Sequence, residues 1–328
     1  MNRSICTASG VAAAIALAGC GAPSFLVTPV THRRALVETE LRRDSLFAAD
    51  KIALIDVTGV ILNSPKSGLL SDGEHPVSFL LEQLDKARRD RAVKTVILRI
   101  NSPGGAVVAS EIMHAEIKRF KKSGKTVVAV MMDVAASGGY YIACACDEIV
   151  AHPSTVTGSI GVVMQMFDLA DTMKKLGIKA DAIASGPHKD SGSPFRQMRP
   201  EERELFQKIV DEMYDRFVTV VAEGRPGLDE EAVRSLADGR VYTASRALEA
   251  GLIDRISTMN EVVASVKEQL GGKPIRLVYY KRPHAYKPNY YAAAPHDPGS
   301  DINLINVELP LIPFTDTPRF MYLWQPGQ

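Results

Sequence analysis

The sequence contains little cysteine and no excess of either charge. Four cysteines occur in 328 residues, and 39 basic residues against 38 acidic ones leave a formal net charge of +1. The two cysteines of the chain interior, Cys144 and Cys146, are too close for an ordinary disulfide and have no His or Cys nearby at metal-ligand spacing. We expect them to be buried small hydrophobes, and we predict neither a metal nor a cofactor. Because no concentrated basic face is visible, nucleic acid is not predicted as a partner.

The N-terminal apolar run is too short to span a membrane. It extends from Val11 to Ala18, whereas a spanning helix needs ~20 apolar residues, and it follows Arg3 as in a secretory signal. The ending Leu-Ala-Gly-Cys20 resembles a bacterial lipobox. We therefore expect residues 1–19 to be a lipoprotein signal peptide, Cys20 to be lipidated, and residues 20–50 to be a tether and lead-in. The alternatives are an ordinary cleavable signal and an uncleaved anchor.

From residue 51 onward, short β-branched runs alternate with amphipathic helical patterns. Strands are predicted at 51–61, 95–100, 125–132, 147–152 and 178–184, and longer helices at 106–124, 167–177 and about 201–223. This alternation predicts an α/β fold with a mainly parallel sheet covered by helices. Residues 51–270 form the predicted main domain and 271–328 a C-terminal extension. Near its end, an apolar segment with the only tryptophan, Trp324, is predicted to dock on the domain or on a neighbour.

A serine before two glycines, in "DVAASGGYY", is the first candidate for chemistry. Ser137 follows a predicted strand and precedes a helix, and open α/β sheets bind ligands at this end of their strands. Its hydroxyl could simply cap the helix. However, Gly138 and Gly139 cost a helix ~1 kcal/mol each relative to alanine, so their presence favours close approach by a substrate. We therefore interpret Ser137 as a nucleophile, with the Gly138 N–H facing the reacting carbonyl oxygen.

A glycine turn in "RINSPGGAVVAS" is the second candidate. Gly104 and Gly105 lie between a predicted strand and a helix, so the backbone can turn sharply and point its N–H groups outward. The helix adds the positive end of its dipole at the same place. Such a turn suits a phosphate or the oxyanion of acyl transfer, or it is only a strand-to-helix connection.

A serine nucleophile needs a base, and the residues alone leave the base open. His152, at the end of a predicted strand, and His188, in a loop, could each serve, although neither has an evident Asp partner. A lysine could serve only if burial favoured its neutral form. Lys189 lies in the Gly-, Pro- and Ser-rich loop 184–198, but nothing in its local pattern distinguishes it from the other lysines.

Four motifs, found in order over about residues 51–256, resemble the signal peptide peptidase A family of Ser/Lys serine peptidases in its short, single-unit form. They are "INSPGG", "DVAASGGYYIACACDEIVAHPSTVTGSIGVV", "SGPHKDSGSPFR" and "GRVYTASRALEAGLID". The resemblance implies a Clp protease/crotonase-like superhelix of ββα units. It also implies a role for each candidate residue. Ser137 would be the nucleophile, Lys189 the general base, and Ser159 the hydroxyl that holds the base. Gly138, with Gly104 and Gly105, would form the oxyanion hole.

The resemblance further implies a serine endopeptidase that assembles into a homo-oligomeric ring. Its substrates would be remnant signal peptides or other unfolded, apolar polypeptides at the extracytoplasmic side of a bacterial membrane. Family members are usually anchored by an N-terminal transmembrane helix, whereas this chain has a lipobox. Two alternatives remain: an inactive envelope scaffold that binds unfolded segments, and acyl-CoA chemistry on the shared architecture.

Overall fold

The computed structural model describes residues 35–64, 74–282 and 320–324. The predicted signal peptide and Cys20 lie outside the described residues, as does the Pro- and Tyr-rich stretch at 283–319. No helix among the described residues is both long and apolar enough to cross a membrane.

The described residues form twelve strands and eight helices. The strands are β1 (Val37–Arg43), β2 (Asp50–Thr58), β3 (Val93–Ser102), β4 (Gly104–Ala106), β5 (Thr126–Ala136), β6 (Glu148–Ala151), β7 (Val156–Gly158), β8 (Val163–Met164), β9 (Val241–Thr243), β10 (Arg255–Ile256), β11 (Ile275–Lys281) and β12 (Phe320–Leu323). The helices are α1 (Pro76–Arg89), α2 (Val107–Lys121), α3 (Gly138–Ala143), α4 (Ala170–Lys175), α5 (Pro200–Gly224), α6 (Glu230–Leu236), α7 (Ala244–Glu249) and α8 (Met259–Gln269).

A mainly parallel sheet forms the centre of the fold. Its strand order is β1-β11-β2-β3-β5-β6-β10, and all neighbours along it are parallel except β1 and β11. Helix α1 connects β2 to β3, and α2 lies between β3 and β5, as parallel neighbours require a crossover. The predicted α/β fold with a mainly parallel sheet is therefore confirmed.

The central strands are buried on both faces because their side chains alternate. On β2, Ala53 and Ile55 belong to a large core beneath α1, α2, α3 and α5, whereas Ile52 and Leu54 belong to a second core that includes Val262 of α8. All four β2 side chains are less than 4% exposed. Burial on both faces explains why these strands read as continuous apolar runs.

Strands β1 and β11 extend the sheet beyond residues 51–270. β11 pairs in parallel with β2, and β1 pairs antiparallel with β11. Segments from the predicted lead-in and the predicted C-terminal extension thus belong to the same sheet.

Two sequence predictions fail in the segment after β8. Residues 178–184, predicted as a strand, have no regular structure and are exposed. One face of such a strand would carry Ile178 and three alanines, so burying it would remove little apolar surface from water. The helix predicted over 167–177 forms only at Ala170–Lys175, and Gly177, with φ of +70°, follows its end.

A second sheet of three short strands lies beside the main one, in the order β4-β12-β8. β12 pairs antiparallel with both neighbours, and Trp324 N donates to Pro103 O at 2.8 Å. The apolar C-terminal segment, as far as it is described, therefore docks on the domain.

The C-terminal end of α5 contacts the C-terminal end of α3 at a glycine. A Cβ on Gly224 would lie 2.5 Å from Cys144 O and 2.7 Å from Cys144 Cβ, so no side chain fits there. This close approach is the reason for glycine at the last position of a 25-residue helix.

Cys144 and Cys146 are buried and free, as predicted. Burial raises the pKa of the Cys144 thiol to about 12 and raises that of Cys146 as well. At pH 8 a thiol with a pKa near 12 is ionised in roughly one molecule in ten thousand, and the thiolate is the reactive form.

We expect neither Cys144 nor Cys146 to react with Ellman's reagent in the folded protein at pH 8. A chain beginning at residue 21 contains these two cysteines alone, so any thiol signal comes from them. Both should react once guanidinium unfolds the chain. Rapid reaction of either thiol without unfolding would contradict the buried placement.

Candidate active site

Ser137 lies at a strained turn between β5 and α3. Its backbone has φ of 52° and ψ of −115°, which few residues with a side chain adopt. Two backbone hydrogen bonds maintain this conformation: Ser137 N donates to Gly158 O at 2.7 Å, and Tyr141 N donates to Ser137 O at 2.8 Å. The turn therefore orients the side chain at the carboxyl end of the central sheet.

Ser159 lies beside Ser137 because the strands that precede them are paired. β5 and β7 run parallel with Ala136 opposite Gly158, so the two serines leave neighbouring strands at the same level. Ser137 and Ser159 are the two non-glycine residues with positive φ among the described residues. Such strain costs of order 1–3 kcal/mol per residue and clusters at functional sites.

The Ser137 hydroxyl is buried and has no hydrogen-bond partner among the described residues. Ser137 is 1% exposed, and its side chain makes no capping bond to α3. A helix-capping role is thereby excluded. Leaving a buried hydroxyl unsatisfied costs about 1–3 kcal/mol, and an oxygen kept free in this way remains available to a reactant.

The turn at Gly104 and Gly105 lies next to Gly138, the residue after Ser137. A Cβ on Gly104, where φ is +103°, would lie 2.7 Å from Gly138 N, and a Cβ on Gly138 would lie 3.2 Å from Gly105 N. The Gly104 N–H donates to Ser102 Oγ at 3.1 Å. The backbones of Gly104, Gly105 and Gly138 therefore lie close together, and because the Gly104 N–H is engaged, Gly138 and Gly105 remain the candidates for N–H donors of the predicted oxyanion hole.

Strand β12 lies against this turn, with Tyr322 opposite Gly105. The Tyr322 side chain fills an apolar pocket, in which its ring is 5.1 Å from that of Tyr141 and 4.6 Å from that of Phe217, between centroids. Its hydroxyl donates to Met213 O at 3.0 Å. Helices α3 and α5 thus supply a pocket for an aromatic side chain next to Ser137.

The structure does not bring Lys189 to Ser137. Lys189 is exposed on a turn where its N–H donates to Gly186 O at 3.2 Å, and no described group hydrogen-bonds to Ser137 Oγ. The histidine alternatives are not at Ser137 Oγ either: His188 is exposed beside Lys189, and His152 is half-buried after β6. In the described ranges, no group of His, Cys, Asp or Glu side chains is placed to hold a metal ion.

A buried carboxylate organises the loop that contains Lys189. Glu202, in the first turn of α5, is fully buried and accepts from Arg199 N at 3.1 Å and from Arg196 Nη1 at 2.9 Å. Arg196 Nε also donates to Asp190 Oδ2 at 2.7 Å, so the residue after Lys189 belongs to the same network. Sequence reasoning missed Glu202; its only signal was an acidic residue at the third position of a helix, as in a capping box.

The contacts with Arg196 lower the pKa of Glu202 to about 2. An unfolded glutamate has a pKa of about 4.3, so the folded state favours the ionised form. The resulting stabilisation is complete above pH ~4.3 and is lost as the pH falls toward 2.

We expect Glu202→Gln to loosen the Lys189 loop. It removes the charge that holds Arg196, so trypsin should cut residues 178–199 faster at pH 7 than in the parent. Glu204→Gln, an exposed neighbour on the same helix, is the control and should have no effect. In the parent, cleavage of this loop by pepsin should accelerate as the pH falls from about 4 to 2. A loop equally resistant in Glu202→Gln and parent would refute this role.

We expect Ser137→Gly to be more stable than Ser137→Ala. Glycine adopts positive φ without steric cost, whereas alanine retains the strain, so the free energies of unfolding should differ by about 1 kcal/mol. Urea denaturation of both variants measures the difference. If Ser137→Ala were the more stable variant, the turn would not be strained.

Comparison with known proteins places this site in a family. Peptidase family S49 matches residues 119–273, a stretch that includes Ser137, Ser159 and Lys189 but not the glycine turn. A protein described as a candidate signal peptide peptidase SppA, from Enterococcus faecium, is 38% identical over 231 residues, which cover 70% of this chain and 67% of that protein. The chloroplastic serine protease SPPA of Arabidopsis thaliana is 36% identical over 73% of this chain and 36% of its own length.

One solved structure, an alanine mutant of the 1510-N membrane-bound stomatin-specific protease, aligns with a TM-score of 0.44. It is 16% identical and covers 66% of this chain and 84% of that one. The motif resemblance is confirmed by the sequence relatives: the chain belongs to the signal peptide peptidase A family within peptidase family S49, and it is a serine peptidase.

Proposed function

We propose that this chain is a Ser/Lys endopeptidase with Ser137 as the nucleophile and Lys189 as the general base. The observation that carries the proposal is the buried Ser137 hydroxyl, which has no hydrogen-bond partner in the described part of the chain and lies at a strained turn next to Gly104 and Gly138. Ser159 directs the lysine amine, and the N–H groups of Gly138 and the Gly104–Gly105 turn form the oxyanion hole.

The reaction divides peptide hydrolysis into two steps. Neutral Lys189 removes the proton from Ser137 Oγ as it attacks the peptide carbonyl carbon, and the oxygen of that carbonyl becomes an oxyanion beside Gly138 and Gly105. The lysine then gives its proton to the leaving amine, and an ester on Ser137 remains. Water, deprotonated by the same lysine, hydrolyses the ester and regenerates the serine.

Assembly into a homo-oligomeric ring would bring Lys189 to a serine. Its segment, 165–199, carries five large apolar side chains that are each about half or more exposed: Phe167, Leu176, Ile178, Ile183 and Phe195. Exposed apolar groups clustered in one segment are typical of a protein-binding surface. A second copy covering them would also exclude water from Lys189, which favours the neutral amine that a base requires.

The substrates are unfolded apolar polypeptides, including remnant signal peptides, at the extracytoplasmic side of a bacterial membrane. The lipobox supports this location, because lipidation of Cys20 would tether the chain to the membrane by its N-terminus. The pocket beside Ser137, lined by Tyr141 and Phe217, supports apolar substrates.

We expect Ser137→Ala and Lys189→Ala each to reduce cleavage of an unstructured, apolar fluorogenic peptide by at least about a thousandfold, since each removes a group that acts in every bond-making step. Lys179→Ala, an exposed lysine of the same segment, is the matched control and should retain parent activity.

Three results would refute the assignment. Parent-like cleavage by either variant would exclude that residue from the reaction. Activity that survives in Lys189→Ala but is lost in His152→Ala or His188→Ala would indicate a histidine base. If a serine-reactive phosphonate did not label Ser137 in the assembled protein, the scaffold alternative would be favoured.

A further inference from the structure

Strand β5 contains a bulge just before the turn at Ser137. Ile100 of β3 lies opposite Met131 of β5. Two residues further along β3, Ser102 lies opposite Ala135, which is four residues beyond Met131. β5 therefore accommodates two more residues than β3 over the same stretch. Bulges are frequent next to active sites, where they change the direction of a side chain.

The two extra residues bring Ser137 back toward the glycine turn. In a regular ladder Ser102 would lie opposite Asp133, and Ser137 would follow four residues beyond that level. In the observed register Ser137 follows only two residues beyond the level of Ser102. At 3.3 Å per residue, the bulge shortens the path along the strand by roughly 7 Å. Ser137 and Gly104, each two residues past the same pairing, thus reach the same level.

Side chains of the neighbouring strands hold the bulge. Val134 N donates to Asn101 Oδ1 at 3.1 Å, so a side chain replaces the backbone acceptor that a regular ladder would offer. On the other side of β5, Thr155 Oγ1 donates to Met132 O at 2.6 Å. Asn101 Nδ2 also donates to Asp133 Oδ2 at 3.0 Å. An asparagine amide offers an acceptor and a donor, and Asn101 uses both on the bulge.

Asn101 connects the bulge to the glycine turn. Its backbone leads directly into Ser102, whose Oγ accepts from Gly104 N, and its amide holds the segment that leads into Ser137. On the basis of the proposed function, we propose that Asn101 is a positioning residue for the peptidase reaction. With Asp133 as its partner, it fixes the bulge of β5 and so sets Ser137 beside the glycine turn. It acts through the backbone of β5 and takes no part in bond making.

Removing the amide has a defined kinetic result. Asn101→Ala leaves Val134 N without its acceptor, so the turn at Ser137 shifts while the groups that bind substrate remain. For an unstructured, apolar fluorogenic peptide, kcat falls by about 10- to 100-fold, as expected for a reacting group misplaced by up to about 1 Å, and KM stays within about twofold. Asn260→Ala, which changes an exposed asparagine of α8, is the matched control and keeps the parent values.

Exchanging the two partners distinguishes positioning from a general loss of structure. In Asn101→Asp two carboxylates face each other, and kcat falls by about tenfold. Adding Asp133→Asn restores kcat to within about twofold of the parent, because the amide at position 133 donates to the carboxylate at position 101, which still accepts from Val134 N. The double variant has the net charge of the parent, and circular dichroism establishes that each variant is folded.

Hydrogen–deuterium exchange tests the positioning without catalysis. In full-length Asn101→Ala, the amides of residues 134–138 exchange at least about tenfold faster than in the parent, because the hydrogen bond that holds this segment is lost. The amides of residues 127–131, in the first half of β5, keep their ladder partners and exchange as in the parent. The double variant regains the protection of residues 134–138.

The outcomes separate this inference from the proposed function. If the parent cleaves peptides and Asn101→Ala has the parent kcat, or if the double variant is as slow as Asn101→Asp, the positioning role is refuted and the peptidase stands. A raised KM with the parent kcat would place Asn101 in substrate binding and would also overturn the role. If no form of the protein cleaves, the proposed function fails, while exchange at residues 134–138 still decides whether Asn101 fixes the turn.

Discussion

The hydrogen bond from Ser137 N to Gly158 O, 2.7 Å long, connects the parts on which the site depends. It continues the β5–β7 pairing to the point where both strands end, so the turns at Ser137 and Ser159 are held at the same level. Because the Ser137 carbonyl then accepts from Tyr141 N, α3 begins directly after Ser137, and Gly138 lies next to the glycine turn. All six residues of α3 are buried, and this burial offsets the strain of the two serines.

The proposed catalytic groups differ in how the chain positions them. Ser137, Ser159 and the glycines are held by strand pairing and by close backbone contacts, which leave them little freedom. Lys189 lies on an exposed turn whose order comes from the Arg196 and Glu202 side chains at its end. In the proposed peptidase, the nucleophile would therefore be rigid, whereas the base would depend on the order of a surface loop.

The central strands were predictable from sequence because they are buried on both faces, so their apolar runs are unambiguous. The observed strands Asp50–Thr58 and Thr126–Ala136 each overlap the predicted run, and α5 differs from prediction by about one residue at each end. The strands Gly104–Ala106 and Val163–Met164 of the small sheet were not predictable from sequence. They are too short to show the alternation of apolar and polar side chains that marks a strand, and only their backbone pairing defines them.

The residues of the candidate site differ in the same way: some have a clear signal in the local sequence, and others have none. Ser137 was identifiable because two glycines at a helix start contradict helix propensity, which indicates a special backbone. Lys189 had no such signal, and its assignment came from the family resemblance alone. Glu202 was missed because its burial depends on Arg196 and Arg199 folding over it, which no local pattern encodes.

Helix α5 joins three parts of the candidate active site in one continuous element. Glu202 in its first turn organises the Lys189 loop, Met213 and Phe217 in its middle contact Tyr322, and Gly224 at its end packs on Cys144 beside α3. A helix of 25 residues is about 37 Å long and bends little, so its ends cannot move independently. In the proposed peptidase, the pocket that would select substrate and the loop that would carry the base therefore share one support, so a substitution that shifts the axis of α5 would reach both.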